Sequence, residues 1–277
     1  MLAVYYKTLP HKLINGTLFY CFEHYVLLSE FKETSFYLYG CTEEDFNISI
    51  NLLKEKYNVD SKVFDNIHRI STIRELHHVD KKSTKTLILD SYTFSDIYAF
   101  IKRDIVVYNS HYDSPMIKSN TKNITWFGYY DYQDFTIKER LSLYFDIFRE
   151  MDTTKKTDTY YISSPLLDIT DRIKKLKPKE SIQLLKSPDK KIDNLFEKFD
   201  TMYYVHTVID VNNRAIPEAF YYKKNIELIL TEFSKKCVDS ITLRYNDIKE
   251  NGLQNYTLSK DSLIIKEMLS ENITTTI

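Results

Sequence analysis

The chain has 277 residues, 38 of them Lys or Arg and 39 Asp or Glu, and hydrophobic residues make up 43%. This hydrophobic share is enough for a packed core and excludes wholesale disorder, and the length suits two ordinary domains or one large domain. The balanced charge excludes a chain that binds nucleic acid through an overall basic excess, although it allows a local basic face.

Three cysteines, Cys21, Cys41 and Cys237, are odd in number and widely spaced. This pattern argues against a disulfide framework or a zinc site and favours a reducing, cytoplasmic compartment. No apolar run approaches the ~20 residues of a membrane span, so we expect none. The first residues also lack the apolar run of a secretory signal.

Strands and helices alternate through the first half of the chain. Short aromatic and β-branched runs predict strands, and apolar residues at three- and four-residue spacing predict helices. The predicted strands are 2–6, 35–39, 86–90 and 104–108, and the predicted helices are 17–31, 42–57 and 92–102. Thr42 and Asp45 have capping-box spacing. His77, His78 and Asp80 are interpreted as a solvated segment, because adjacent helical residues do not face one site.

A polar stretch, residues 109–122 (NSHYDSPMIKSNTK), interrupts this alternation. It contains Ser-Pro and has no sustained period, and the strand–helix cycle restarts at Ile124. The pattern therefore predicts two α/β domains with parallel sheets, residues 1–119 and 120–277, hinged at this stretch.

The second half repeats the alternation less regularly. The predicted strands are 124–128, 159–163, 182–185 and a short one at 240–243, and the predicted helices are 137–151, 192–199 and 258–269. Phe145 and Phe148 are expected to face inward in the first of these helices.

Residues 199–230 form the most informative segment, with the predicted order strand, loop, helix, strand. The run TMYYVH at 201–206 predicts a buried strand, and DVNN at 210–213 predicts a loop, because Asp and Asn side chains bond to their own backbone. Pro217 places the helix start near Ala215, since proline is tolerated in the first turn. Open α/β sheets bind ligands where a polar loop leaves the carboxyl end of a strand. Arg214 lies at this helix start and Glu218 one turn further on.

This segment resembles the donor-binding segment of GT-B glycosyltransferases, in which an acidic residue, a loop and a helix-opening glutamate follow a strand. Asp210 and Glu218 have the spacing of the paired acidic residues of many retaining members. Arg214 and Glu218 also resemble the Arg-x-x-x-Glu of the T-even phage DNA glucosyltransferases. The resemblance implies that Glu218 holds the ribose hydroxyls and Arg214 the diphosphate of a nucleotide sugar. The alternative is a surface Arg–Glu pair on an ordinary helix.

Two further pieces carry the resemblance. WFGYY at 126–130 is similar to a family strand in which a glycine precedes a basic donor-phosphate residue; Gly128 is present and Lys138 is the next basic residue. VVYNSHYDSP at 106–115 resembles the phage enzymes' strand end that delivers His or Asp to the cleft. His111 and Asp113 are therefore candidates for the catalytic base. The alternative for Gly128 is a plain strand-end turn, and the alternative for His111 and Asp113 is a polar linker between domains.

The resemblance as a whole implies a GT-B architecture, two Rossmann-like domains facing a cleft. It implies an acceptor-side domain at 1–119 and a donor-binding domain at 120–277, with His111, Asp113 and Asp210 as catalytic residues. Donor binding would involve His206 as well as Arg214, Glu218, Gly128 and Lys138. The substrate would be a nucleotide sugar, with no cofactor or metal. The acceptor stays open between a surface glycan and a hydroxymethylated base of phage DNA, and the alternative function is a non-catalytic scaffold or interaction protein.

Overall fold

The structure, a computed structural model, describes residues 1–8, 16–109, 124–128, 142–152, 160–163, 184–185, 195–197, 199–205, 214–229 and 235–270. The chain divides into two compact units, Met1–Glu139 together with Leu258–Ile277, and Arg140–Thr257. Among the helices within these ranges, none is both long enough and apolar enough to cross a membrane.

The elements alternate along the chain much as the sequence predicts. The described strands are β1 (Leu2–Lys7), β2 (Thr34–Tyr39), β3 (Ile67–Ile70), β4 (Lys85–Ile88), β5 (Asp104–Asn109), β6 (Ile124–Gly128), β7 (Tyr160–Ser163), β8 (Leu184–Leu185), β9 (Thr201–Val205) and β10 (Asn225–Ile229). The described α-helices are α1 (Gly16–Ser29), α2 (Glu43–Lys56), α3 (Ile73–Lys82), α4 (Ser91–Ile97), α5 (Ala215–Tyr221), α6 (Lys235–Asn251) and α7 (Leu263–Leu269).

Each unit is built on its own parallel sheet. The first sheet has the order β3-β2-β1-β4-β5-β6, and the second has the order β10-β9-β7-β8. Every strand pair in both is parallel. The first order is that of doubly wound α/β folds, which reverse their winding direction between β1 and β4. The predicted fold class, α/β with two parallel sheets, is therefore confirmed.

The first unit extends beyond the predicted boundary at residue 119. Strand β6, predicted to open the second domain, pairs with β5 from Ile105↔Ile124 to Asn109↔Gly128 and is the edge of the first sheet. The residues from Leu258 onward also belong to the first unit, not to a contiguous second domain. Both differences arise from long-range pairing, which a local sequence pattern does not record.

Helix α3 lies in a segment for which the sequence analysis predicts no helix. The Thr72 hydroxyl accepts from the Glu75 backbone N–H, and the Glu75 carboxylate accepts from the Thr72 N–H, which is a capping box. The Thr-x-x-Glu spacing of Thr72 and Glu75 is the sequence signal that could have predicted this helix start. Asp80, in the segment interpreted as solvated, is buried, and its carboxylate accepts from the N–H groups of Lys102 (3.1 Å) and Arg103 (3.2 Å).

Two predictions in the second unit are wrong. Residues 240–243, predicted as a strand, lie within α6, where Ile241, Arg244 and Ile248 recur at helical spacing and are buried. In the predicted helix 137–151, the part that is described contains a 3₁₀ turn at Phe145–Ile147. There the Leu143 N–H donates to the Tyr256 carbonyl at 2.8 Å. Tertiary pairing thus takes a backbone donor that an α-helix would use.

Aromatic packing dominates the core beside β1 and β2. Phe22 of α1 lies 6.5 Å from Phe36 of β2 and 5.7 Å from Phe64, measured between ring centroids, and 5.1 Å from Tyr57. Phe22 and Phe36 are fully buried. Such aromatic pairs add directional contacts to the hydrophobic burial that holds α1 on the sheet.

Two ionisable side chains of α1 are also buried in this core. Glu23 accepts a hydrogen bond from the Tyr57 hydroxyl, and the Nδ1 of His24 donates to the Tyr20 carbonyl at 2.8 Å. Burial lowers the pKa of His24 from 6.5 to about 4. The folded protein therefore keeps His24 uncharged at neutral pH.

Lys85 joins the centre of the first sheet to the C-terminal helix. It is buried at the first position of β4, and its Nζ donates to the Glu267 carbonyl at 2.5 Å and to the Ser270 Oγ at 2.9 Å. An ammonium at a helix C-terminus satisfies terminal carbonyls and complements the helix dipole. This contact, together with the buried Ile264, Ile265 and Met268, holds α7 against the first sheet.

We predict that Lys85→Met lowers the free energy of unfolding by about 2–4 kcal/mol, because the carbonyls at the C-terminus of α7 lose a charged donor. Urea denaturation followed by circular dichroism measures the change. Lys266→Met is the control: Lys266 is exposed and 3.3 Å from Asp261, so its removal should cost less than about 1 kcal/mol. Equal effects of the two changes would contradict the role of Lys85.

We predict a pH-dependent stability from His24. Its pKa is about 4 when folded and 6.5 in the ordinary state, so the unfolded chain binds the proton more readily. The contribution of His24 is complete above pH 6.5 and is lost as the pH falls towards 4. Between pH 7.5 and pH 5 this loss is about 2 kcal/mol.

The measurement is a urea midpoint series between pH 7.5 and pH 5 for the wild-type chain and for His24→Gln. The variant should lack this part of the pH dependence. His78→Gln at an exposed position of α3 is the matched control and should leave the profile unchanged. A His24→Gln profile parallel to the wild-type profile would rule out the predicted coupling.

Candidate functional site

The segment that carries the resemblance forms the predicted strand–helix–strand arrangement. Strands β9 and β10 are parallel neighbours, in register from Thr201↔Asn225 to Val205↔Ile229. Helix α5 connects them and begins at Ala215, as the position of Pro217 predicts. In such a connection the helix starts towards the carboxyl end of the first strand. Arg214 therefore lies towards the carboxyl side of the second sheet.

Arg214 and Glu218 form a buried ion pair. The Arg214 Nε donates to the Glu218 Oε1 at 2.5 Å, and their side chains are 10% and 8% exposed. The pair has the predicted i, i+4 spacing, but it is not at the surface. Ile216, Pro217 and Ala219 are buried as well, so α5 is enclosed on several sides. Charges in such surroundings are stable only when they are paired and hydrogen-bonded.

Aromatic rings hold α5 in place from its C-terminal side. Tyr221 stacks on Phe145 at 4.8 Å, and Tyr222 stacks on Phe196 at 4.7 Å, between ring centroids. The Tyr222 hydroxyl also donates to the Arg149 carbonyl at 3.1 Å. Because these contacts immobilise α5, they also fix the orientation of Arg214 and Glu218.

A left-handed turn ends α5. Lys223 has φ 56°, and the Lys224 N–H donates to the Ala219 carbonyl at 2.8 Å. This pattern is a Schellman-type cap, occupied here by lysine where glycine is usual. The Lys224 ammonium lies 5.7 Å from the Phe199 ring, and burial lowers the pKa of Lys224.

The other predicted site residues fall into two groups. His111, Asp113, Lys138, His206 and Asp210 lie outside the described residues. Gly128 is described as the last residue of β6 and belongs to the first unit, not to the predicted donor-binding domain. Of the predicted donor residues, the structure brings Arg214 and Glu218 together.

Polar side chains also gather at the switch point of the first sheet, between β1 and β4. The N–H of Lys7, the last residue of β1, donates to the Thr93 hydroxyl at 2.7 Å, and the Lys7 Nζ is paired with Asp96. The Asp90 carboxylate caps α4 by accepting from the Thr93 N–H at 2.7 Å. We name Lys7, Asp90, Thr93 and Asp96 the switch-point cluster.

This cluster occupies the position at which doubly wound sheets bind ligands. The sequence analysis does not include its acidic residues among the site candidates. The sequence signal that could have identified the cluster is Asp90, which follows a buried strand and stands three residues before Thr93, the spacing of a helix N-cap. Lys7 and Asp96 are 27% and 35% exposed, so both are accessible to a ligand. Throughout the described ranges, no three His, Cys, Asp or Glu side chains converge as metal ligands.

Comparison with known proteins gives structural likenesses only. No family model and no curated protein matches the chain. A crystal structure of Acinetobacter baumannii MurG is similar with a TM-score of 0.42 and 8% identity, over 89% of this chain and 84% of that chain. UDP-GlcNAc 2-epimerase from Neisseria meningitidis, bound to UDP-GlcNAc, is similar with a TM-score of 0.43 and 11% identity, over 97% and 98%. Both TM-scores are below 0.5, so neither structure assigns a role to a residue of this chain.

We predict that Glu218→Ala lowers the free energy of unfolding by about 3–5 kcal/mol, because it leaves the buried Arg214 charge without this partner. The double change Arg214→Met with Glu218→Leu should restore most of that loss, since apolar residues can replace a buried pair. Thermal and urea denaturation measure both. Glu250→Ala, the same chemical change at an exposed position of α6, is the control. A Glu218→Ala variant as stable as Glu250→Ala would contradict the buried pair.

Proposed function

We propose that this chain is a glycosyltransferase of GT-B type, which moves a sugar from a nucleotide-sugar donor to a hydroxyl acceptor. The observation that carries the proposal is the buried Arg214–Glu218 pair at the start of α5, on the carboxyl side of a parallel sheet. The resemblance of this segment to GT-B donor sites assigns the pair its ligand. The doubly wound first sheet, with its polar switch-point cluster, supports a second ligand-binding unit.

In the donor site, Arg214 binds the diphosphate and Glu218 binds the ribose hydroxyls. A guanidinium is permanently charged and presents parallel donors that match phosphate oxygens. A carboxylate offers about four acceptor positions, so one group can orient an arginine and also accept from a diol. The bond between Glu218 and the Arg214 Nε holds the guanidinium in a fixed orientation before the donor arrives, which reduces the cost of ordering it.

In the reaction, the acceptor hydroxyl oxygen attacks the anomeric carbon and the bond from that carbon to the diphosphate oxygen breaks. The nucleoside diphosphate leaves with the bonding electrons, and a base takes the hydroxyl proton. We assign the base to His111 or Asp113 and a catalytic carboxylate to Asp210. Gly128, Lys138 and His206 complete the proposed donor contacts. The substrate is a nucleotide sugar, no cofactor or metal is needed, and the proposed location is cytoplasmic.

A second candidate function is a non-catalytic scaffold that keeps the fold. The observation in its favour is that Arg214 and Glu218 are bonded to each other and buried, which a purely structural pair would also show. The acceptor of the transferase is equally open between a surface glycan and a hydroxymethylated base in DNA.

We predict that a UDP-, GDP- or ADP-sugar raises the melting temperature of the folded chain, because binding to the native state stabilises it by mass action.

Arg214→Lys keeps the charge but loses the planar guanidinium, and should weaken donor binding by about ten- to hundredfold. Lys223→Gln, which removes an exposed charge just after α5, is the control and should bind as the wild type does. Isothermal titration calorimetry gives the affinities.

The absence of any shift across the nucleotide-sugar panel would favour the scaffold. For a donor that binds, transfer of labelled sugar to duplex DNA containing 5-hydroxymethylcytosine, or to lipopolysaccharide and free sugars, identifies the acceptor. Binding without transfer to any of these would contradict the proposed reaction with these acceptors.

A further inference from the structure

Arg214 and Tyr222 stand at the two ends of α5, and Glu218 lies midway between them. The Glu218 N–H donates to the Arg214 carbonyl at 3.1 Å, and the Tyr222 N–H donates to the Glu218 carbonyl at 3.0 Å. Residues four apart in a helix project from the same face. The face that carries the ion pair therefore continues into Tyr222, which is buried.

Tyr222 is held by groups outside α5. Its ring stacks on Phe196 at 4.7 Å between centroids, and its hydroxyl donates to the Arg149 carbonyl at 3.1 Å. A stacked ring can slide over its neighbour at little cost, whereas a hydrogen bond requires a narrow range of distance and angle. The hydroxyl therefore fixes where the Tyr222 ring lies, in addition to the burial that the stacking provides.

Helix α5 depends on such contacts because it is short. It has seven residues, Ala215–Tyr221, and a helix of two turns is not stable by itself in water. Arg214 occupies the N-cap position, but its side chain does not cap the helix and instead donates to Glu218. The direction of α5 is therefore set by tertiary contacts, and the bond from Tyr222 supplies a directional one at the C-terminal end.

We propose that Tyr222 is a positioning residue for the Arg214–Glu218 pair. The bond from its hydroxyl to the Arg149 carbonyl holds the guanidinium in the orientation that binds the donor diphosphate; this role in donor binding rests on the function proposed above. Ordering a side chain in advance reduces the entropy that the ligand must overcome. A hydroxyl about two helical turns from Arg214 thus contributes to affinity without touching the ligand.

The test is the exchange of the Arg214 Nε–H proton with water, followed by ¹⁵N nuclear magnetic resonance on the full chain. The Arg214 signal is identified by its loss in Arg214→Lys. Tyr222→Phe keeps the ring on Phe196 and loses only the hydroxyl. In this variant the exchange should speed up about two- to tenfold, the factor that corresponds to one neutral hydrogen bond. The measurement needs no ligand.

Tyr256→Phe is the matched control. Tyr256 is also buried in the second unit, and its hydroxyl donates to the Asp247 Oδ2 at 2.9 Å. The change removes one hydrogen bond from the same unit, and the Arg214 Nε–H should exchange as in the wild type. Circular dichroism establishes that each variant is folded. If Tyr222→Phe is not, Phe196→Leu replaces it, and the loss of the stacked ring should speed up the exchange as well.

Unchanged exchange in Tyr222→Phe, or an equal increase in Tyr256→Phe, would overturn the positioning role. Calorimetry gives the second readout: for a nucleotide sugar that the wild type binds, Tyr222→Phe should weaken the affinity about two- to tenfold and Tyr256→Phe should not. Equal affinities of the wild type and Tyr222→Phe would likewise overturn the role. If the wild type binds no nucleotide sugar while the exchange responds to Tyr222→Phe alone, the proposed function fails and the positioning of Arg214 stands.

Discussion

A sheet made only of parallel strands must be covered on both faces, and this constraint organises both units of the chain. In the first unit the crossover helices are joined by α7, which returns from the far end of the sequence. Helix α7 buries Ile264, Ile265 and Met268, and the Lys85 ammonium donates to the carbonyls that end the helix. Lys85 opens β4 at the centre of the sheet order, so one buried charge connects the centre of the sheet to the end of the described chain. The covering layer of the first unit is thus built from both ends of the sequence.

Buried charges in this protein act mainly on backbone groups and on each other. Asp80 accepts from two N–H groups, Lys85 donates to helix-terminal carbonyls, and Arg214 pairs with Glu218. Each arrangement is specific because an unpaired charge in these positions would cost about 3–5 kcal/mol. The same rigidity is what a binding site needs. A guanidinium that is oriented before its ligand arrives loses less entropy on binding.

The two edges of the first sheet have different chemistry. The carboxyl edge at the switch point combines Lys7 and Thr93 with the acidic residues Asp90 and Asp96, which suits a small polar ligand. At the amino edge, the buried Asp80 and Lys85 bond to backbone groups of Lys102, Arg103 and Glu267. In a parallel sheet all strands point the same way, so residues before the strands and residues after the strands are collected at opposite edges. Strand direction therefore separates the polar switch-point cluster from the buried charges at the opposite edge.

The sequence by itself determined most of the elements, and the tertiary structure decided how they group. Periodicity placed β1, β2, β5, β9 and β10 to within about two residues, and the position of Pro217 placed the start of α5, because these signals are local. The Arg214–Glu218 spacing was equally local, but the burial of the pair follows from the packing of α5, in which Tyr221 stacks on Phe145 and Tyr222 stacks on Phe196. Strand β6 joined the first sheet, and Leu143 left its predicted helix, because each found backbone partners across the fold. Local patterns specify which backbone shape a segment prefers, whereas sheet membership and burial depend on pairings that only the folded chain creates.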